Sequence, residues 1–447
     1  MAHVANLTVD NTKVAANATD FPVYVDLSDM NATFWSTVAN GGGDIRIFKS
    51  DGTTELAREV VSCDTSGETG ELHFKYTGTL SSSVDTEIQI HADGSSSDYA
   101  VGATYGRNNV WSGYDGVWHT NESSGTRYSA TGSNNFTDNN TVTSATGKVG
   151  TSASFASANE EYLSGVFADL NAYGTGSFSI SMWINLIDVT SVSLFRNWYT
   201  TNQTPNNVQY NTGVVSGQLN HFIYQQNKTA PESTSLDGSS TISTNTWYNV
   251  VLVRESNVSK FYLNASIDGT SASNNINVTK SGNTTTIGGA LPEDISYTNG
   301  KIDEVKIIGS ALSADWITTE YNNQNSPSTF YTATAPGITF SITDTLSLSE
   351  TSTNLRGLIT TTSESLSVSE TISALKGISF TILDTLGLVE TFTSTRTRLF
   401  NIAESLGLIE IKAYVQKKWS NISKSTVATV TNGVKTAVSV ITNTPKS

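Results

Sequence analysis

Residues 176–186 read GSFSISMWINL, and the parity of that run decides the fold. Phe178, Ile180, Met182, Ile184 and Leu186 take alternate positions, with Ser179, Ser181 and Asn185 among the residues between them. Period two is the signature of a strand with one face in a core. Residues 246–255 (TWYNVVLVRE) form a nearly continuous apolar run, as expected of a strand covered on both faces. Residues 260–269 (KFYLNASIDG) end on Asp268-Gly269, a hairpin signal. One stretch, residues 309–324, reads as a helix: Ser313 is placed to cap it, and Ala314, Trp316, Ile317 and Tyr321 fall on one side. Short strands, turn punctuation and a closing helix predict a two-sheet sandwich over residues 113–332.

The same alternation runs through the preceding segment. Phe21, Val23, Val25 and Leu27 share one parity, and Ile45 with Ile47, Leu72 with Phe74, and Ile88 with Ile90 repeat it between glycine-containing turns. A small, β-sandwich-like domain is predicted over residues 1–112.

These phrases resemble a known family. GKVGTSASFASANEEYLSG (147–165), GSFSISMWINL, TWYNVVLVRE, NTTTIGGA (283–290) and NGKIDEVKIIGSALSADWITTEY (299–321) stand in the order typical of LamG-like, concanavalin A-like lectin/glucanase jelly rolls. DGVWHTNES (115–123) resembles the lead-in such modules carry, while FPVYVDLSDM, DIRIFKSDGTTELAREV and ELHFKYTGTL resemble a small β-domain that precedes them. The resemblance implies an all-β chain with a lectin or glucanase fold. It also implies calcium at one rim, where Glu161 takes the position that family members give to Asp, with Asp303 as the second candidate ligand. For Asp303 the competing role is to tie down a loop by accepting backbone N–H bonds.

Glucanases of this fold carry three carboxylates at alternating strand positions, which no run here supplies. The nearest acidic pairs, Glu160-Glu161 and Asp303-Glu304, are adjacent, so on a regular strand their side chains point to opposite faces. There is no H-E-x-x-H, G-x-S-x-G or P-loop. One cysteine, Cys63, and five histidines give nucleophilic catalysis little to draw on. The expectation is a protein without catalytic residues. In LFRNWYTTNQTPNNVQY (194–210), Trp198 and Tyr199 stand beside amides and suit a sugar face, while packing over the sandwich end is the alternative for Trp198. Trp118 and His119 are expected to pack at the domain junction.

A net charge of −15 argues against nucleic acid as a partner, and no apolar run is long enough for membrane insertion. No leader peptide is evident in the first residues. Residues 333–416 repeat a twenty-residue phrase four times, keeping Asp344, Glu364, Asp384 and Glu404 in register. Strand periodicity and little apolar surface per copy predict a repetitive β stalk joining sister chains in a homo-oligomer, with a trimer as one option. Stacked coils would set like charges close together, which favours copies laid end to end. A basic tail follows, residues 417–447, in a region with six lysines and no acid from Lys412 onward. The leading expectation is a non-enzymatic virion component of tail-fibre or decoration type, recognising a glycan or cell-surface receptor. The alternatives are an extracellular adhesin on a cell surface and a polysaccharide-cleaving glycoside hydrolase.

Overall fold

The computed structural model describes residues 1–170, 172–198, 207–226, 232–273, 275–279, 282–289 and 296–336, and the backbone of paired strands between 338 and 440. It divides into two compact units, Met1–Thr334 and Ala335–Ser447.

Two large cores lie among the described residues of the first unit. In the N-terminal part, a five-stranded sheet built around Ala2–Val9 and Thr86–Ala92 faces a three-stranded sheet of Ala18–Asp26, Thr69–Leu80 and Arg58–Asp64. Between them lie Phe21, Val23, Val25, Leu72, Phe74, Ile88 and Ile90, the residues whose parity marked the strands. Tyr331–Thr334 pairs with Ala2–Val9, and Phe330 and Tyr331 enter this same core, so the end of the unit completes its beginning.

The second core lies between an eight-stranded and a seven-stranded antiparallel sheet. Phe178–Leu186 pairs with Trp247–Glu255 on one side and Gly300–Ile308 on the other. Its alternate residues Phe178, Ile180, Met182, Ile184 and Leu186 all face the core. The opposite parity is buried too, because Trp183 Nε1 donates to Gln324 Oε1 on the helix Ala314–Asn325 and Ser179 Oγ donates to Ser310 O. Ser313 caps that helix by accepting from Trp316 N. On that helix Ile317 packs beside Val251, Val253 and Tyr262, Trp316 against Phe21, and Tyr321 stacks on Trp183, as the apolar-face expectation has it for these three, while Ala314 is exposed. Thr319, Glu320, Asn323 and Gln324 are buried as well and add hydrogen bonds.

Asn323 shows how. Its Oδ1 accepts from Tyr24 N at 2.7 Å and its Nδ2 donates to Tyr24 O at 2.8 Å, replacing a strand neighbour for the outer edge of Ala18–Asp26. Asn323→Leu strands both buried backbone groups, each worth about 1–3 kcal/mol. We expect about 2–3 kcal/mol lost in urea unfolding; a loss below about 0.5 kcal/mol would show that water replaces the amide.

The second unit is described by backbone pairing alone. Ile338–Asp344, Leu358–Glu364, Ser379–Asp384 and Leu399–Glu404 form one parallel ladder, and Ser349–Arg356, Ser369–Lys376, Val389–Ser394 and Ile409–Tyr414 another. Asp344 pairs with Glu364, Glu364 with Asp384, and Asp384 with Glu404. The copies therefore pair side by side within one chain, contrary to the end-to-end layout expected from charge repulsion. Ladder hydrogen bonds satisfied along each strand account for this preference. Val427–Asn432 and Lys435–Val440 pair as an antiparallel hairpin in the tail.

Candidate functional sites

Two places in the first unit gather side chains capable of chemistry or recognition. One is buried where the N-terminal sheets meet the sandwich. Glu71 and His73 sit two apart on Thr69–Leu80, on the face turned away from Leu72 and Phe74, with Glu59 on the neighbouring strand paired to His73. From the sandwich come His119, just past Gly116–Trp118, and Glu304, Lys306 and Asp303 on Gly300–Ile308. A β-bulge brings Glu304 in: register shifts between Ser181 and Trp183, and Glu304 takes φ 50°. Asp303 and Glu304 are both fully buried, so the opposite-face expectation for this adjacent pair does not separate them into core and solvent.

The contacts are dense. His119 Nδ1 contacts Glu304 Oε1 directly and lies 3.3 Å from Glu71 Oε1, while its Nε2 is 3.1 Å from Glu59 Oε2. His73 Nε2 is 2.9 Å from Glu71 Oε1, and the two imidazoles stack at 4.6 Å. Lys306 Nζ bridges Glu304 Oε2 and Glu320 Oε1 at 2.9 Å each. Trp111 Nε1 donates to Glu59, and Gln324 Nε2 to Glu304.

Burial shapes the charges. It pushes Glu71 up to about 8, with Glu304 and Glu59 adding to the shift and His119 opposing it. It pulls His73 down to about 3, helped by the His119 charge. For His119 burial works against the charge, but Glu304 and Glu59 hold it well above an ordinary histidine. Burial also opposes the Glu304 charge, yet His119 and Lys306 keep it well below the usual range. Glu71, His73, His119 and Glu304 each offer one donor atom within 4.8 Å of the others, so this cluster can hold a metal ion.

The two sequence-derived ligands make other contacts. Glu161 is buried with Oε2 accepting from Ala156 N and Oε1 from Asn159 Nδ2, both at 2.8 Å. Asp303 accepts from Lys148 N and Val149 N through Oδ2, and burial with the Glu304 charge raises its pKa well above normal. Among the described residues neither belongs to a group of three or more His, Cys, Asp and Glu donors. Trp118 is in the sandwich core, its Nε1 donating to Asn134 O at 2.9 Å. Glu71 and His73 escaped the sequence reading, although E-x-H on alternate positions of a strand is the signal that pairs them.

The second place is the face of the seven-stranded sheet turned away from the core. Leu219, Ile223 and Tyr210 point inward, so Phe222, Tyr224 and Asn220 point out, with Asn211 paired to Phe222. Trp198 lies beside them, its ring 6.1 Å from Phe222 and 3.3 Å from the Arg196 guanidinium carbon. All but Arg196 are half-buried, and Ser233 and Ser235 on the adjoining strand are exposed. Tyr199 lies outside the described residues.

Residues 159–318 match the concanavalin A-like lectin/glucanases superfamily. This stretch is a concanavalin A-like domain, with β structure before it. No curated protein sequence matches the chain. Among solved structures, the chain is similar to domain 4 of AbnA, an extracellular arabinanase from Geobacillus stearothermophilus solved with arabinotriose: 18% identity, 40% of this chain and 81% of that one, TM-score 0.31. A heptameric SAP-like pentraxin from Limulus polyphemus matches at 18% identity over 32% of this chain and 68% of its own, TM-score 0.26. The binding domain of Paraclostridial Mosquitocidal Protein 1 matches at 12% identity over 47% of this chain and 52% of its own, TM-score 0.38. The chain thus spans about half the length of that binding domain. Among the described residues, no helix is long and apolar enough to cross a membrane.

Proposed function

We propose that the chain is a non-enzymatic recognition protein whose concanavalin A-like domain binds a glycan on the outward face of its seven-stranded sheet. The observation that carries this reading is the patch of half-buried Trp198, Phe222 and Tyr224 interleaved with Asn211 and Asn220. Flat aromatic faces take the apolar C–H side of a sugar, and amides bond its hydroxyls from the edge. Asp237 is the one acid among the described residues of this patch, and it accepts from Asn220 Nδ2 at 2.7 Å. Glycoside hydrolysis needs two carboxyl groups across the scissile bond, which favours binding over cleavage. The twenty-residue repeats serve as an assembly element in this reading, whether the carrier is a virion or a cell surface.

The test is a glycan array probed with the full chain, followed by Trp198→Ala and Phe222→Ala. Neither residue belongs to the sandwich core, so both variants should fold. Each should weaken glycan binding roughly tenfold or more, about 1.4 kcal/mol. Retention of no glycan, or variants that bind like the parent, would remove the proposal. Release of reducing sugar from a bound polysaccharide would overturn its non-enzymatic half.

A further inference from the structure

We propose that Glu71, His73, His119 and Glu304 bind one divalent transition-metal ion, with zinc the best match, and that this ion ties the N-terminal sheets to the sandwich. A neutral imidazole has one N–H. With His119 Nε2–H directed at Glu59, its Nδ1 lone pair faces carboxylate oxygens of both Glu304 and Glu71. A proton, on the ring or on a facing carboxyl, or a metal must stand between them. The fourth donor favours the metal. His73 Nε2 reaches the same Glu71 oxygen at 2.9 Å, which completes a set of two nitrogens and two oxygens within 4.8 Å. Tetrahedral zinc, with bonds of about 2.0–2.2 Å to such ligands, sets its donors about 3.3 Å apart.

The surroundings have the form of an outer shell. Glu59 orients His119 and is itself held by Trp111, the carboxylate–histidine–metal arrangement that fixes which ring nitrogen ligates. Lys306 and Gln324 engage Glu304 Oε2 and leave Oε1 for the ion. Four carboxylates, those of Glu59, Glu71, Glu304 and Glu320, converge here, while Lys306 contacts two of them and Arg107 stands 4.0 Å from Glu59. An imidazole–carboxylate set selects zinc-like ions over calcium, which prefers oxygen alone. A cleft of about 310 Å³ between the two halves, lined by Glu59, Arg107, His119 and Glu122, gives an entry path to His119.

The test uses the full chain stripped with a chelator, then titrated separately with zinc chloride, cobalt chloride and calcium chloride. Zinc should bind at one ion per chain and raise the thermal midpoint, and cobalt should give the visible absorption of a tetrahedral site. Calcium should do neither. His119→Asn and Glu304→Gln should each abolish uptake, while Glu59→Gln should weaken it about 10–100-fold. Stripped parent chain with an unchanged β-sheet circular dichroism spectrum that takes up neither zinc nor cobalt would overturn the proposal, as would binding that survives both ligand substitutions. If either variant fails to fold, cobalt spectroscopy on the parent chain decides the question alone.

Discussion

Replacing Lys306 by methionine should destabilise the first unit by about 3–5 kcal/mol, the loss typical of a buried ion pair deprived of one partner. Lys306 is 4% exposed, and its ammonium bridges Glu304 and Glu320. Burial works against that charge, but the two carboxylates raise its pKa above that of an ordinary lysine. Methionine fills the stem volume and leaves Glu320 without its cation and Glu304 with His119 alone. The damage should be partly reversible, which separates electrostatics from packing. Adding Glu320→Gln to Lys306→Met should recover about 1 kcal/mol or more, because residues in one network couple by about 0.5–3 kcal/mol. Urea unfolding of the single and double variants gives both quantities. A single-variant loss below about 1 kcal/mol, or a double variant no better than the single, would show that the junction does not depend on this bridge.

That junction marks where sequence reading stops. The strands were legible because each core face carries a strict alternation: Phe178 to Leu186 and Phe21 to Val25 lie buried where their parity placed them. The same rule assigns the other face of a strand to solvent, and here it fails for a specific reason. Glu71 and His73 occupy the polar parity of Thr69–Leu80, yet that face docks on the sandwich. Their partners are His119 and Glu304, brought in by tertiary packing that no local pattern encodes. The bulge at Glu304 adds a second failure, because strict alternation presumes regular pairing and one extra residue re-aims a side chain. The helix Ala314–Asn325 was legible in part: Trp316, Ile317 and Tyr321 make the apolar contacts expected of them, whereas buried Glu320, Asn323 and Gln324 follow no apolar pattern. Trp198 was legible as an aromatic among amides. Phe222 and Tyr224, which complete its patch, were hidden in a strand whose inward face is apolar.

His221 should make the concanavalin A-like domain acid-sensitive by itself. Its imidazole is fully buried, with Nδ1 bonded to Asn211 O at 2.9 Å and Nε2 without a hydrogen-bond partner, edge-on to Phe261. Burial pulls its pKa down to about 3, opposed by the Asn211 carbonyl and helped by Arg254. A depressed value means that the folded state keeps the ring neutral while the unfolded chain takes up a proton below about 6.5. The stabilisation is therefore complete above about pH 6.5 and is lost as pH falls towards 3. The slope approaches about 1.4 kcal/mol per pH unit and the total reaches about 3–5 kcal/mol. Glutamine at this position keeps a donor for Asn211 but does not titrate. His221→Gln should match the parent near pH 7 and lose stability less steeply by about one proton between pH 6 and pH 4. Equal slopes for the two proteins, or an imidazole resonance that titrates near pH 6.5 in the folded parent, would contradict this account.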